Sequence, residues 1–133
     1  MTDIMIPVAA GELIDKLTIL RIKSERITDE QKLANVRHEM ALLTEAAVRS
    51  LPPSPELTAL WDELFRINSD LWQIEDDIRD HERRSDFGHG FIGLARSIYV
   101  TNDRRAEVKK AINRLLGSDI VEEKSYSDYG SAS

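Results

Sequence analysis

Apolar residues recur at alternating spacings of three and four along most of the chain, which is the period of α-helices. The longest such run keeps this spacing for three heptads, with positions at Leu57, Leu60, Leu64, Ile67, Leu71, Ile74 and Ile78. Ser54 is a good N-cap and Pro55 suits the first helical position, so a helix is predicted from Pro55 to about Arg84. A second stripe beside the first predicts two packing partners, which would make this the central helix of the fold: Trp61, Phe65, Asn68 and Trp72.

Two helices are predicted before this central one. Gly11 to Ile27 carries apolar residues on two sides, which is typical of a helix between two neighbours. Thr28 to Gln31 fits a capping box, with Thr28 as N-cap, and predicts a second helix that ends near Arg49. Residues 4–9 are apolar and predict a short strand or an extended arm, and Pro7 argues against a central strand.

The helical period resumes after a glycine-containing break at residues 85–90. The segment from Phe91 to Leu116 is predicted to be helical, with Gly117 as its C-cap. Because Thr101 or Asn102 could cap a fresh helix, the pattern fits either one bent helix or two short ones. Residues 118–133 predict an arm followed by a polar tail.

These elements predict an all-α protein. We expect an antiparallel helical bundle of three to four helices with a coiled-coil-like long central helix, a short N-terminal arm and a flexible C-terminal tail. Residues 1–126 would form a single helical domain and residues 127–133 a disordered tail. A thirty-residue helix spans about 45 Å, whereas a compact monomer of this length is roughly 36 Å across. The molecule is therefore elongated, the helix is broken, or a second subunit covers the excess length. We predict a homodimer, since a monomer with both stripes of this helix exposed would show an unusually large apolar patch.

The amino-acid composition of the chain excludes several classes of functional site. The chain has 133 residues, a net charge of −6 and no cysteine, so disulfides, cysteine-bound zinc and a thiol nucleophile are excluded. No apolar run approaches the length of a membrane span, and residues 1–10 do not have the pattern of a signal peptide, so no membrane partner is expected. Residues 62–82 hold eight acids against two bases, and residues 91–116 hold six bases against two acids. We interpret this as two neighbouring helices of opposite charge rather than as a nucleic-acid surface.

Polar side chains interrupt the apolar face of the last helix. At 100° per residue, Asn102, Arg105, Lys109 and Asn113 share a face with its apolar residues. They are either solvated, or paired with acids such as Glu75 or Asp15, or they bind an external anion. The candidate ligand-binding set is Asn102, Arg105, Lys109, Asn113, Arg96, Arg21, Glu75 and Arg79.

Two pairs of carboxylates have the i, i+3 spacing that can hold Mg²⁺. They are Glu12 with Asp15 and Asp77 with Asp80. Such pairs arise often by chance in a chain this charged, so we predict no metal and no cofactor. No phosphate-binding glycine loop and no known catalytic motif is present, which leaves catalytic residues unassigned.

Three stretches resemble a family of small bacterial all-helical proteins whose function is not established. They are GELIDKLTIL from Gly11, IEDDIRD from Ile74 and LARSIYVTNDRRAEVKKAIN from Leu94. The resemblance implies a stand-alone cytoplasmic bacterial protein and brings no established activity, substrate or catalytic residue. The preferred interpretation is a non-enzymatic module that self-associates or binds a protein partner. The alternative is a binder or enzyme for a small phosphorylated or dicarboxylate ligand in a polar cleft between helices.

Overall fold

The computed structural model describes residues 2–129, which form four α-helices and no strand. The prediction of an all-α fold is therefore confirmed for this part of the chain. The helices are α1 (Ala10–Arg26), α2 (Glu30–Ser50), α3 (Pro55–Arg83) and α4 (His89–Leu116).

Local capping explains where the helices begin and end. Ser54 caps α3 as predicted, and its hydroxyl accepts a hydrogen bond from the Leu57 amide at 3.0 Å. The N-cap of α2 is Asp29, whose carboxylate accepts from the Lys32 amide, so the expectation of Thr28 as N-cap is wrong by one residue. Gly117 ends α4 in the left-handed conformation, which glycine adopts without strain.

α4 is one continuous helix, and the alternative of two short helices is wrong. Thr101 lies inside it and is buried, so its hydroxyl does not cap a new helix. The segment around Thr101 contains neither glycine nor proline, and nothing in the local sequence interrupts the backbone hydrogen bonds.

The helix with the most partners is α1, and the prediction that α3 is central is wrong. Among the described helices α1 packs against α2, α3 and α4, and α2 packs against α1. The prediction that α3 has two packing partners is confirmed, since it packs against α1 and α4. The two apolar sides of α1 explain this position. Ile14 joins a core with Leu64 and Ile112 of α3 and α4, while Leu13 and Leu17 join Ala47 of α2.

Residues 72–100 differ from the rest of α3 and α4, and we call them the distal hairpin. α1 ends beside Gln73, whose side-chain oxygen accepts a hydrogen bond from Arg26 at 3.2 Å. No residue from 72 to 100 is buried. The apolar residues of this hairpin therefore lie half-buried or exposed.

The segments outside the helices have no regular structure. Residues 2–9 form the expected arm rather than a strand, and Ile4 and Met5 are 85% and 89% exposed. Residues 118–129 follow α4 without forming a helix, and the ring centroid of Tyr129 lies 5.3 Å from that of Tyr99. Residues 130–133 of the predicted tail lie outside the described residues. None of the helices described has the length and apolar character that a membrane crossing requires.

Candidate functional site

The polar stripe of α4 faces α1, and its centre is a paired buried carboxylate. Arg105 donates from Nε to Asp15 Oδ1 at 2.9 Å and from Nη2 to Asp15 Oδ2 at 2.5 Å. The Asp15 side chain is 2% exposed, and that of Arg105 is 30% exposed. Such a two-point contact fixes both the distance and the register between the helices.

Two further polar side chains complete the hydrogen bonds around Asp15. Asn68 of α3 donates to Asp15 Oδ1 at 2.9 Å and to the Thr18 hydroxyl at 2.8 Å. Thr18 in turn donates to the Asp15 backbone carbonyl at 2.7 Å. All three residues are buried, so α1, α3 and α4 meet at a polar network in which Asp15 and its neighbours are satisfied.

This network changes the acidity of Asp15. Burial by itself raises the pKa of a carboxyl group, because it disfavours the charged form. Hydrogen bonds from Arg105 and Asn68, together with the charges of Arg105 and Lys109, outweigh burial and lower the pKa of Asp15 below its ordinary value. Asp15 is therefore a charged, structurally paired group, and its environment does not tune it as a proton donor near neutral pH.

Lys109 extends the network by one turn towards the C-terminal segment. Its Nζ lies 2.8 Å from Glu12 Oε2 on α1 and 3.1 Å from Glu122 Oε2 on the segment after α4. Burial lowers the pKa of Lys109, but the bonds to Glu12 and Glu122 outweigh it and leave the pKa above its ordinary value. Lys109 therefore carries its charge between two carboxylates.

Asn113 marks the closest approach of the α1 and α4 backbones. Its Oδ1 accepts a hydrogen bond from the Gly11 amide, an otherwise unpaired donor of the first turn of α1, at 2.7 Å. A Cβ atom built on Gly11 would lie 2.6 Å from the Lys109 carbonyl oxygen. Glycine at position 11 thus permits the contact on which the Lys109 and Asn113 interactions depend.

Four of the eight predicted ligand-binding residues form the polar stripe of α4 that faces α1, and the other four lie outside this stripe. Asn102 Oδ1 accepts a weak 3.4 Å bond from Arg105, which joins it to Arg105, Lys109 and Asn113. Glu75 pairs with Arg79 on the surface of α3 rather than with the stripe. Arg21 pairs with Glu25 and covers the ring of Phe65, and Arg96 is exposed on the distal hairpin.

A surface groove of about 450 Å³ is nevertheless lined by residues of both groups. Glu75 and Arg79 stand on its α3 side, Asn102 and Arg105 stand on its α4 side, and Trp72 adds an aromatic wall. A second groove of about 540 Å³ is mainly apolar and lies between α1, α2 and the start of α3. Sequence reasoning did not foresee this second groove, because it depends on how α2 leans on α1.

The carboxylates considered as metal ligands form ion pairs or hydrogen bonds with other side chains instead. Glu12 and Asp15 bind Lys109 and Arg105, and Asp77 accepts a hydrogen bond from Gln73. Within residues 2–129 no group of three or more potential metal ligands is found. The i, i+3 spacing of Glu12 and Asp15 indicates that the two carboxylates share one face of α1. In the structure this face packs against α4.

Comparison with known proteins agrees with the sequence resemblance. A family model described as "Family of unknown function (DUF6165)" matches residues 4–133. The chain belongs to this family. No curated protein and no solved structure matches the chain. The DUF6165 description assigns no activity, so a function has to be argued from the geometry of the helices.

Proposed function

We propose that this chain is a non-enzymatic helical module that self-associates, with the distal hairpin as the contact face between two copies. The observation that carries the proposal is the absence of any buried residue between 72 and 100 within the described chain. The helical part of α3 and α4 in this stretch has an apolar side chain at nearly every third or fourth position. Half-buried apolar residues of the hairpin include Ile74, Ile78, Phe91, Leu94 and Ile98, and Phe87 and Ile92 are exposed.

Helix length supports the same proposal. α3 has 29 residues and α1 has 17, which correspond to about 43 Å and 26 Å of helix. A two-helix hairpin by itself leaves one apolar side of each helix in water. A second hairpin placed against it would complete a four-helix bundle, which is the usual way to bury such faces. The antiparallel, coiled-coil-like packing expected from the heptads would then extend across the two copies.

The charge distribution of the distal hairpin favours a second copy of this chain as its binding partner. The α3 side of the hairpin, residues 72–83, has five acids and two bases, whereas the α4 side, residues 89–100, has Arg96 and no acid. Two α3 segments placed side by side would repel each other. A two-fold arrangement instead puts α3 of one copy against α4 of its partner, as an isologous contact requires. A cytoplasmic location, implied by the resemblance, belongs to the same proposal.

The test is the mass in solution of the protein and two matched variants. Ile92 in the hairpin is 51% exposed and Val48 on α2 is 78% exposed, so a lysine at either position leaves a single copy folded. We expect light scattering to give twice the 15.1 kDa chain mass for the wild type and for Val48→Lys. Ile92→Lys should give the chain mass, with unchanged helical circular dichroism.

Two results would contradict the proposal. A wild-type protein that stays at the single-chain mass at high micromolar concentration rules out self-association and leaves binding of a different protein as the use of this face. Dissociation by Val48→Lys but not by Ile92→Lys would place the contact on α2 instead of the distal hairpin.

A further inference from the structure

A small cationic pocket lies between α4 and the C-terminal segment, away from the distal hairpin. It has a volume of about 90 Å³, and we call it the anion pocket. Its charged lining is four cations against one acid: Arg105, Lys109, Lys110, Lys124 and Glu122. The chain as a whole carries a net charge of −6, so this concentration of positive charge is a local feature.

The carboxylates that neutralise the pocket are of two kinds. Asp15 and Glu12 belong to α1, which packs along α4 and holds them in place. Glu122 belongs to a segment without regular structure, and its side chain is 61% exposed. The pairing of Glu122 with Lys109 at 3.1 Å joins α4 to a segment without regular structure, so this ion pair can open without moving a helix.

We propose that the anion pocket binds a phosphate-sized oxyanion and that the Glu122 carboxylate is its tethered internal occupant. The volume of the pocket admits one such group. The ammonium groups of Lys109, Lys110 and Lys124 suit a phosphate, which lysine recognises as a point charge. An incoming oxyanion takes the place of the Glu122 carboxylate on Lys109 and brings more negative charge to the same cations.

Displacement of Glu122 has a structural consequence. Residues 118–129 hold to α4 through the Lys109–Glu122 pair and the contact between Tyr129 and Tyr99. Hydrogen bonding to Asp103 raises the pKa of Tyr129 above its ordinary value. When Glu122 leaves Lys109, the first of these attachments is lost, and the resonances of residues 118–129 should shift together.

The experiment is a titration with inorganic phosphate followed by ¹⁵N-resolved NMR, with sodium chloride keeping the ionic strength constant. Glu122→Gln removes the internal competitor, and Glu123→Gln makes the same charge change at the neighbouring acid, which does not line the pocket. We expect phosphate to bind Glu122→Gln about tenfold more tightly than the wild type, with Glu123→Gln unchanged.

A second variant tests the cations without disturbing the network around Asp15. Lys110→Gln combined with Lys124→Gln leaves the Lys109 and Arg105 ion pairs intact, so the fold is retained. Introduced into Glu122→Gln, it should weaken phosphate binding at least about tenfold. Equal phosphate affinities for Glu122→Gln and Glu123→Gln would overturn the proposal, as would shifts that spread over the whole surface and do not saturate.

Discussion

The two ends of the α3–α4 pair are built from the same helices and yet have opposite characters. At one end α1 lies beside them, Ile14, Leu64 and Ile112 are fully buried, and Asp15 is enclosed in a satisfied polar network. At the other end, in the distal hairpin, no residue is buried. The heptad pattern of α3 runs through both ends without a change. Apolar periodicity thus indicates which face of a helix is to be covered, whereas the reach of the neighbouring helix decides how much of it is covered.

The largest expected effect breaks the polar network at the end that α1 covers. Arg105→Ala leaves the buried Asp15 carboxylate without its cation, and we expect a loss of about 3–5 kcal/mol in the free energy of unfolding. Arg79→Ala is the matched control, because its ion pair with Glu75 is exposed, and it should cost less than about 0.5 kcal/mol. Urea unfolding at neutral pH measures both. Equal effects would mean that the network contributes no more than a surface pair.

The same pair predicts a pH dependence with a definite sign. The pKa of Asp15 is lowered in the folded chain, so its contribution is fully present above the unfolded pKa of about 3.9 and is lost as pH falls through the folded pKa. The stabilities of the wild type and Arg105→Ala should therefore converge as the pH falls below about 4. A difference that stays constant from neutral pH to that range would show that Arg105 stabilises the fold by packing rather than by charge.

A smaller effect separates the two ends through apolar side chains. Leu64→Ala removes a fully buried leucine and should cost about 2–5 kcal/mol. Ile78→Ala, in the distal hairpin, should cost about 1 kcal/mol or less in dilute solution, because its side chain is only half-buried. If two hairpins pair, the cost of Ile78→Ala rises with protein concentration while that of Leu64→Ala does not. Thermal unfolding at low and high concentration distinguishes these outcomes.

The smallest expected effect concerns two helical glycines. Gly11→Ala puts a methyl group 2.6 Å from the Lys109 carbonyl oxygen and should destabilise the fold by about 1–3 kcal/mol. Gly93→Ala meets no atom within 4 Å and should stabilise α4 by up to about 1 kcal/mol. The two substitutions are chemically identical and should shift the melting temperature in opposite directions. A stabilising Gly11→Ala would mean that α1 and α4 can move apart at no cost.

The sequence predicted the elements better than their arrangement. The start of α3 at Pro55 and the end of α4 at Gly117 follow from capping chemistry, which is local. The central position of α1 could not be predicted. An apolar stripe indicates which side of a helix is buried, but it does not indicate which other helix packs against that side. The pairing of Arg105 with Asp15 could be predicted from the sequence as one of two alternatives, since Asp15 and Glu75 are the two acids proposed as partners. The pairing of Lys109 with Glu122 could not be predicted, because Glu122 lies in a segment without apolar periodicity.

The distance along the chain between the partners of the central ion pair has a consequence for protein synthesis. Asp15 and Arg105 are 90 residues apart, so at about 5–20 residues per second the carboxylate leaves the ribosome roughly 5–20 s before its guanidinium. During that interval α1 and α2 can already pair through Leu13, Leu17 and Ala47. On the other side of α1, the hydrated Asp15 carboxylate lies among apolar residues. This charge opposes burial of that side of α1 until α4 has been synthesised.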